Sequence, residues 1–229
     1  MIHRHELYAV AWSFAAVAVL LAILLYLTSP TITGKVTATS VNILPLKEYN
    51  CSVTLAAGWN LISIFCIQGD EITPEQALSS MSTIPYYVFG HTLTSDTWKV
   101  YVNRIPASFA DLPSYAIDDL SVMKRTQGFW VYVDSATIIT YNGALRNNVV
   151  LPLQEGWNLI GYPTNISKNI SEALSSIDGS YSEVWQYNAS NQTWSSYRPD
   201  TPNSTLQEMA PGYGYWINMT AAATWVVDW

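Results

Sequence analysis

Two hydrophobic patterns divide the chain. From Leu7 to Leu27 there are 21 consecutive uncharged residues, mostly Ala, Val and Leu. At helical rise such a run covers roughly 30 Å, the hydrocarbon thickness of a bilayer, and predicts a transmembrane anchor over residues 1–28. A cleaved signal peptide, with its shorter apolar core and small-residue cleavage site, is the alternative. Arg4 at the short end favours that end inside and the bulk of the chain outside. Residues 29–50, rich in Thr, Val and Ser between Pro30 and Pro45, lack helical periodicity and predict a stalk, while the partial alternation through Ile32, Gly34, Val36 and Ala38 also allows a strand.

Beyond the stalk the pattern becomes short apolar stretches near period two, and it occurs twice. Leu55-Ala-Ala-Gly-Trp-Asn-Leu-Ile-Ser-Ile64 returns as Leu153-Gln-Glu-Gly-Trp-Asn-Leu-Ile-Gly-Tyr162, an offset of 98 residues. Later elements recur at an offset of 96, Trp98 with Trp194 and Tyr101 with Tyr197. The expected fold is therefore mainly β, an α+β arrangement of two tandem repeats at 51–143 and 149–229 packed together. In each, the first strands (Val53–Leu55 and Asn60–Phe65 in repeat 1) read as a hairpin about a glycine turn. A short helix follows. Thr73, Pro74 and Gln76 form a capping-box signature, and Asn169 is the matching N-cap of repeat 2. Ala107–Met123 predicts a further short helix or turns, with a counterpart in repeat 2 that is shorter and ends at Leu206–Met209. Two aromatic strands and a closing pair, Gly128–Val133 with Thr137–Tyr141, complete repeat 1.

Cys51 and Cys66 lie equally far from Gly58-Trp59, so a hairpin folded there brings them opposite each other and predicts a disulfide. Two buried free thiols are the alternative reading. At the repeat offset the second copy has Val149 and Thr164, so a staple is expected in repeat 1 alone.

The order Gly-Trp-Asn-Leu-Ile, Ala-Leu, Val-Trp-X-Tyr with a later Trp, then Gly-Tyr-Trp-Ile resembles tandem repeat modules of archaeal and bacterial cell-surface proteins. Repeat 1 departs from it with Phe89 and Phe129. The resemblance implies an extracytoplasmic structural or binding module and carries no catalytic residues.

Composition narrows the function. Charged residues are only 12% and the net charge is −7, without a basic run, which excludes a nucleic-acid surface. Seven Asn-X-Ser/Thr sequons suit a glycosylated outer surface; the candidates are Asn50, Asn165, Asn188, Asn191 and Asn203. Asn169, as a cap, and Asn218, within a strand, are poor acceptors. An Asn/Ser/Thr-rich set of turns would also produce the excess. His91 is the single histidine beyond the anchor, in an expected turn. Asp70-Glu71 and Asp118-Asp119 are adjacent acids whose side chains diverge. No residue set converges on a catalytic, cofactor or metal site.

Aromatics make up 13% of the chain. Trp59, Trp98 and Trp130 recur as Trp157, Trp194 and Trp216, and recurrence assigns these six to a shared core in preference to a ligand platform. Trp225 and Trp229 lack counterparts and are the candidates for an exposed contact. The expected function is a non-enzymatic recognition, adhesion or scaffold module of the plasma membrane, single-pass with its N-terminus cytoplasmic. Its expected partners are the membrane and other surface proteins or glycans. A glycan-binding module using exposed aromatics, or an accessory subunit of a membrane assembly, is the runner-up.

Overall fold

The computed structural model describes residues 47–92, 97–104 and 119–228. The anchor, nearly all of the stalk, most of the Ala107–Met123 segment and Trp229 lie outside the described residues. Among those described, no helix is long and apolar enough to cross a membrane. The architecture is mainly β, and Pro45–Trp229 form one compact unit.

Repeat 1 contains β1 (Tyr49–Leu55), β2 (Gly58–Ser63), β3 (Glu71–Ile72), α1 (Pro74–Ala77), β4 (Tyr86–Thr92), β5 (Thr97–Arg104), β6 (Met123–Lys124), β7 (Gly128–Val133) and β8 (Thr137–Gly143). Repeat 2 contains β9 (Val149–Leu153), β10 (Gly156–Gly161), β11 (Lys168–Asn169), α2 (Ile170–Ala173), β12 (Tyr181–Asn188), β13 (Thr193–Tyr197), β14 (Glu208–Met209), β15 (Gly214–Met219) and β16 (Ala223–Val227). The main sheets have the orders β2-β7-β4-β5 and β10-β15-β12-β13, the same topology in each copy. The accessory pairs correspond as well: β1-β8 with β9-β16, and β3-β6 with β11-β14. Strand β1 starts at Tyr49, so the last residues assigned to the stalk belong to the sheet.

The helix caps form as their residues dictate. The Thr73 hydroxyl accepts from Gln76 N at 3.3 Å while Gln76 Oε1 accepts from Thr73 N, closing the capping box. Asn169 Oδ1 accepts from Ser171 N at 3.1 Å.

The expected opening hairpin does not form. Strand β1 pairs with β8, not with β2, and β2 pairs with β7. The two arms β1–β2 and β7–β8 run antiparallel side by side, and both change sheet at the same level, between Leu55↔Thr137 and Gly58↔Val133. This is a sheet corner, where paired strands leave one layer for another. A hairpin and a corner demand the same local residues, a glycine between two strands, so the alternation alone does not separate them.

The corner explains Gly-Trp-Asn. Gly58 and Gly156 have φ of 94° and 88°, a region that side chains with a Cβ avoid. Asn60 then bonds back across the bend. Its Oδ1 accepts from Ala56 N at 2.9 Å, and its Nδ2 donates to Ala56 O at 2.9 Å and Gly58 O at 3.0 Å. Asn158 repeats the set with Gln154 N, Gln154 O and Gly156 O at 3.0, 2.8 and 2.9 Å. Both amides are buried, and the bend's backbone groups are satisfied by them.

Each repeat encloses its own core between its four-stranded sheet, its two-stranded sheet and its short helix. In repeat 1 it includes Val53, Leu55, Ile62, Val88, Phe129, Val131, Ile139, Leu78 and Met81. In repeat 2 it includes Leu153, Ile160, Tyr162, Val184, Tyr215, Ile217, Leu174 and Trp225. The Cys51–Cys66 disulfide is present, with Cα atoms 6.3 Å apart. Because β1 and β2 lie in different sheets, it joins two layers across the corner instead of clamping a hairpin. Nearby, the buried Arg125 guanidinium donates to Phe65 O at 3.2 Å, Ile67 O at 2.7 Å and Gly69 O, and its Nε lies 3.5 Å from Asp70 Oδ1. Burial pulls its pKa below the ordinary value, and Asp70 opposes that fall.

Candidate functional site

The six recurrent tryptophans do not enter either core. In each main sheet the core is filled from one face (Ile62, Phe129, Val131 and Val88 in repeat 1), and the tryptophans stand one residue out of phase on the other. Registers arrange this second face of repeat 1 in three rows. They read Trp59, Tyr132, Tyr87, Val102; then Leu61, Trp130, Phe89, Val100; then Ser63, Gly128, His91, Trp98. In repeat 2 the rows are Trp157, Asn218, Glu183 with Arg198 beyond it; Leu159, Trp216, Trp185, Ser196; and Gly161, Gly214, Tyr187, Trp194.

The third rows are where the repeats meet, and the meeting is made twice with the copies exchanged. Ser63 N donates to Gly212 O and Gly161 N to Thr126 O, both at 2.9 Å. A Cβ on Gly128 would lie 2.8 Å from Ile160 O, and one on Gly214 would lie 2.8 Å from Ile62 O. Glycine is the residue that permits this approach. Aromatic contacts follow the same exchange: Trp98 and His91 reach Trp216 at 6.1 and 5.7 Å, while Trp194 and Tyr187 reach Trp130 at 5.8 and 5.2 Å. Recurrence therefore reflects a self-complementary contact between copies. His91, expected in a turn, lies buried in β4 at this contact.

One open groove of about 880 Å³ lies on the second face of repeat 2. Trp157, Trp185, Trp194 and Trp216 line it, and Trp98 crosses from repeat 1 to join them. Three of the five keep much of their surface in water: Trp98 is 49%, Trp157 46% and Trp194 44% exposed. Trp216 stands edge-on to Trp157 at 6.3 Å, and Trp185 edge-on to Trp194 at 6.3 Å. Polar groups border the indoles: Gln154, Glu155 and the Glu183–Arg198 pair. Arg198 Nε and Nη2 donate to Glu183 Oε2 at 3.0 and 2.7 Å, and the guanidinium carbon lies 5.9 Å from the Trp185 ring centre.

Trp225, expected at an exposed contact, is fully buried. It stacks on Tyr162 at 6.1 Å and donates from Nε1 to Ala173 O at 2.8 Å. Its alternation along β16 is real, but the side it favours is the core side. Burial, aided by the charges of Glu172 and Asp228, pushes the Tyr162 pKa up to about 12. The candidate acceptors Asn50, Asn165, Asn188, Asn191 and Asn203 are all exposed. Asn218 lies in β15 beside Trp157 and Glu183. Asp70 of the Asp70-Glu71 pair is held by Arg146 at 3.1 Å. Among the described residues no cluster of His, Cys, Asp and Glu could hold a metal ion. No spacing in the sequence joins Trp185, Glu183, Arg198 and Gln154 into one site. The signal in the sequence is the exchange of Tyr87 and Tyr132 of repeat 1 for Glu183 and Asn218 at the matching positions of repeat 2. Comparison with family models, with characterised proteins and with solved structures gave no match.

Proposed function

We propose that the chain is a membrane-anchored, extracytoplasmic recognition module of the cell surface without a catalytic role, and that it binds a glycan in the tryptophan groove of repeat 2. One observation carries this reading: three half-exposed indoles share a groove with two carboxylates, a guanidinium and a side-chain amide. Clustered exposed apolar surface beside a few convergent polar groups is the ordinary make-up of a ligand site. Sugars suit both halves of it, presenting C–H faces to aromatic rings and hydroxyls to carboxylates and amides. The Leu7–Leu27 run supports the anchor. The disulfide and the exposed sequons support an oxidising, outward location.

The test is a glycan array probed with the full chain in detergent micelles, followed by the Trp157→Ala variant. Trp157 is half exposed, so its truncation leaves the fold, read by circular dichroism, unchanged. Glycan binding by the parent chain, weakened tenfold or more in the variant, is the expected result, since central aromatic contacts contribute about 2 kcal/mol or more. Absence of glycan binding by the parent chain would refute the reading.

A further inference from the structure

We infer that the groove takes an uncharged saccharide and that Glu183, locked by Arg198, is the residue that bonds its hydroxyls. This rests on the glycan reading above and specifies it.

Among the described residues, the titratable side chains lining the groove are Glu155, Glu183, Arg198 and the buried His91 of repeat 1. Arg198 is the one permanent cation among them, and it is already engaged. Both of its hydrogen bonds to Glu183 fall on Oε2, and its guanidinium lies over Trp185. The arrangement offers little to a charged ligand of either sign. An acidic sugar would meet Glu155 with no unpaired Lys or Arg among the described lining residues to receive it, in a chain of net charge −7. A cationic ligand finds the Trp185 face taken by Arg198 and Glu183 already paired, which leaves it Glu155 as its one carboxylate partner in the groove. Hydroxyls are what remain. With Oε2 committed to Arg198, Oε1 of Glu183 can accept from a ligand, and a charged acceptor bonds a hydroxyl more strongly than a neutral one. Glu183 is 19% exposed, partly withdrawn from competing water. Asn218, between Trp157 and Glu183 in its row, is placed to continue the polar strip towards the platform formed by Trp157.

The pair is peculiar to repeat 2. The corresponding positions of repeat 1 are Tyr87 and Val102, with Tyr132 in place of Asn218. There Trp59 is covered by Tyr132 at 5.2 Å and Phe89 at 5.6 Å.

The experiment is a tryptophan-fluorescence titration of the full chain in micelles. The probes are neutral gluco- and manno-hexasaccharides, an oligogalacturonate of equal length and a chitosan hexamer. At least one neutral probe is expected to bind at least tenfold more tightly than either charged one. Glu183→Gln should weaken neutral binding about tenfold, the difference between a charge-assisted and a neutral hydrogen bond. The same variant should strengthen oligogalacturonate binding, because Arg198 loses its counter-charge. A purely structural role for Glu183 would not produce that exchange of preference. Tightest binding of a charged probe, still abolished by Trp157→Ala, overturns the inference and leaves the glycan groove standing. Unchanged neutral affinity in Glu183→Gln overturns the role of Glu183. Binding of no probe of any charge removes both.

Discussion

The two repeats have the same topology, the same corners and the same pattern of contact, yet their second faces end differently. Repeat 1 closes its first row with Trp59, Tyr132, Tyr87 and Val102, rings packed on rings, and Tyr87 is buried. Repeat 2 has Trp157, Asn218, Glu183 and Arg198 there, and a groove opens. A duplicated scaffold can keep one copy as packing while the other exchanges three or four side chains for polar ones. The site arises from substitution in a row, with no new element of structure.

The cores differ in the same spirit. Repeat 1 ties its two layers with Cys51–Cys66 and holds the following loop with Arg125. Repeat 2 has Val149 and Thr164 at the cysteine positions, and relies on Trp225 stacked on Tyr162 where repeat 1 has Ile139 and Ile64. Trp225→Ala should accordingly be the most damaging single change in repeat 2, costing about 3–5 kcal/mol through cavity formation and loss of its hydrogen bond to Ala173. Urea denaturation followed by tryptophan fluorescence would measure it; a loss below about 1 kcal/mol would mean that the stack is not the counterpart of the staple.

Removing the staple itself, with Cys51→Ser and Cys66→Ser together, should cost about 3 kcal/mol in the chain-entropy picture of a loop this length. The same denaturation experiment applies, and reductant should reproduce the effect in the parent chain while leaving the double variant unmoved. The finest comparison is between the corners. Asn60→Ala and Asn158→Ala each remove a buried amide that holds the three backbone groups of the bend, with a longer bond to Val131 O at 3.5 Å in addition for Asn60, for an expected loss of about 2 kcal/mol. Near-equal losses would show one device used twice; a large difference would show that the copies have diverged at the motif that defines them.

Much of this was legible from residues alone. Thr73, Pro74 and Gln76 specify a helix start whatever surrounds them, because a capping box is closed within four residues. The cysteine pairing was also readable, although for an incomplete reason: symmetry about Gly58-Trp59 holds for a corner as well as for a hairpin. The placement of the tryptophans was not readable. Both faces of the main sheets are apolar, Ile62, Val88 and Val131 on one and Trp59, Phe89 and Trp130 on the other. Alternation therefore gives the period without saying which phase faces the core. Trp225 failed for the same reason in reverse. The groove became visible once register aligned Glu183 with Asn218 and Trp157, since no sequence spacing places those three together.

The disulfide has a mechanical consequence. Tension entering the fold from its N-terminal side arrives at Tyr49, on a strand paired in a two-stranded sheet with β8. Such a pair peels readily under an end-on pull. Two residues further on, Cys51 passes the load through a covalent bond to Cys66, just beyond β2, and so into the four-stranded sheet. Under the proposed N-terminal anchoring, repeat 1 is the copy nearer the tether, and it is the copy with the cross-link.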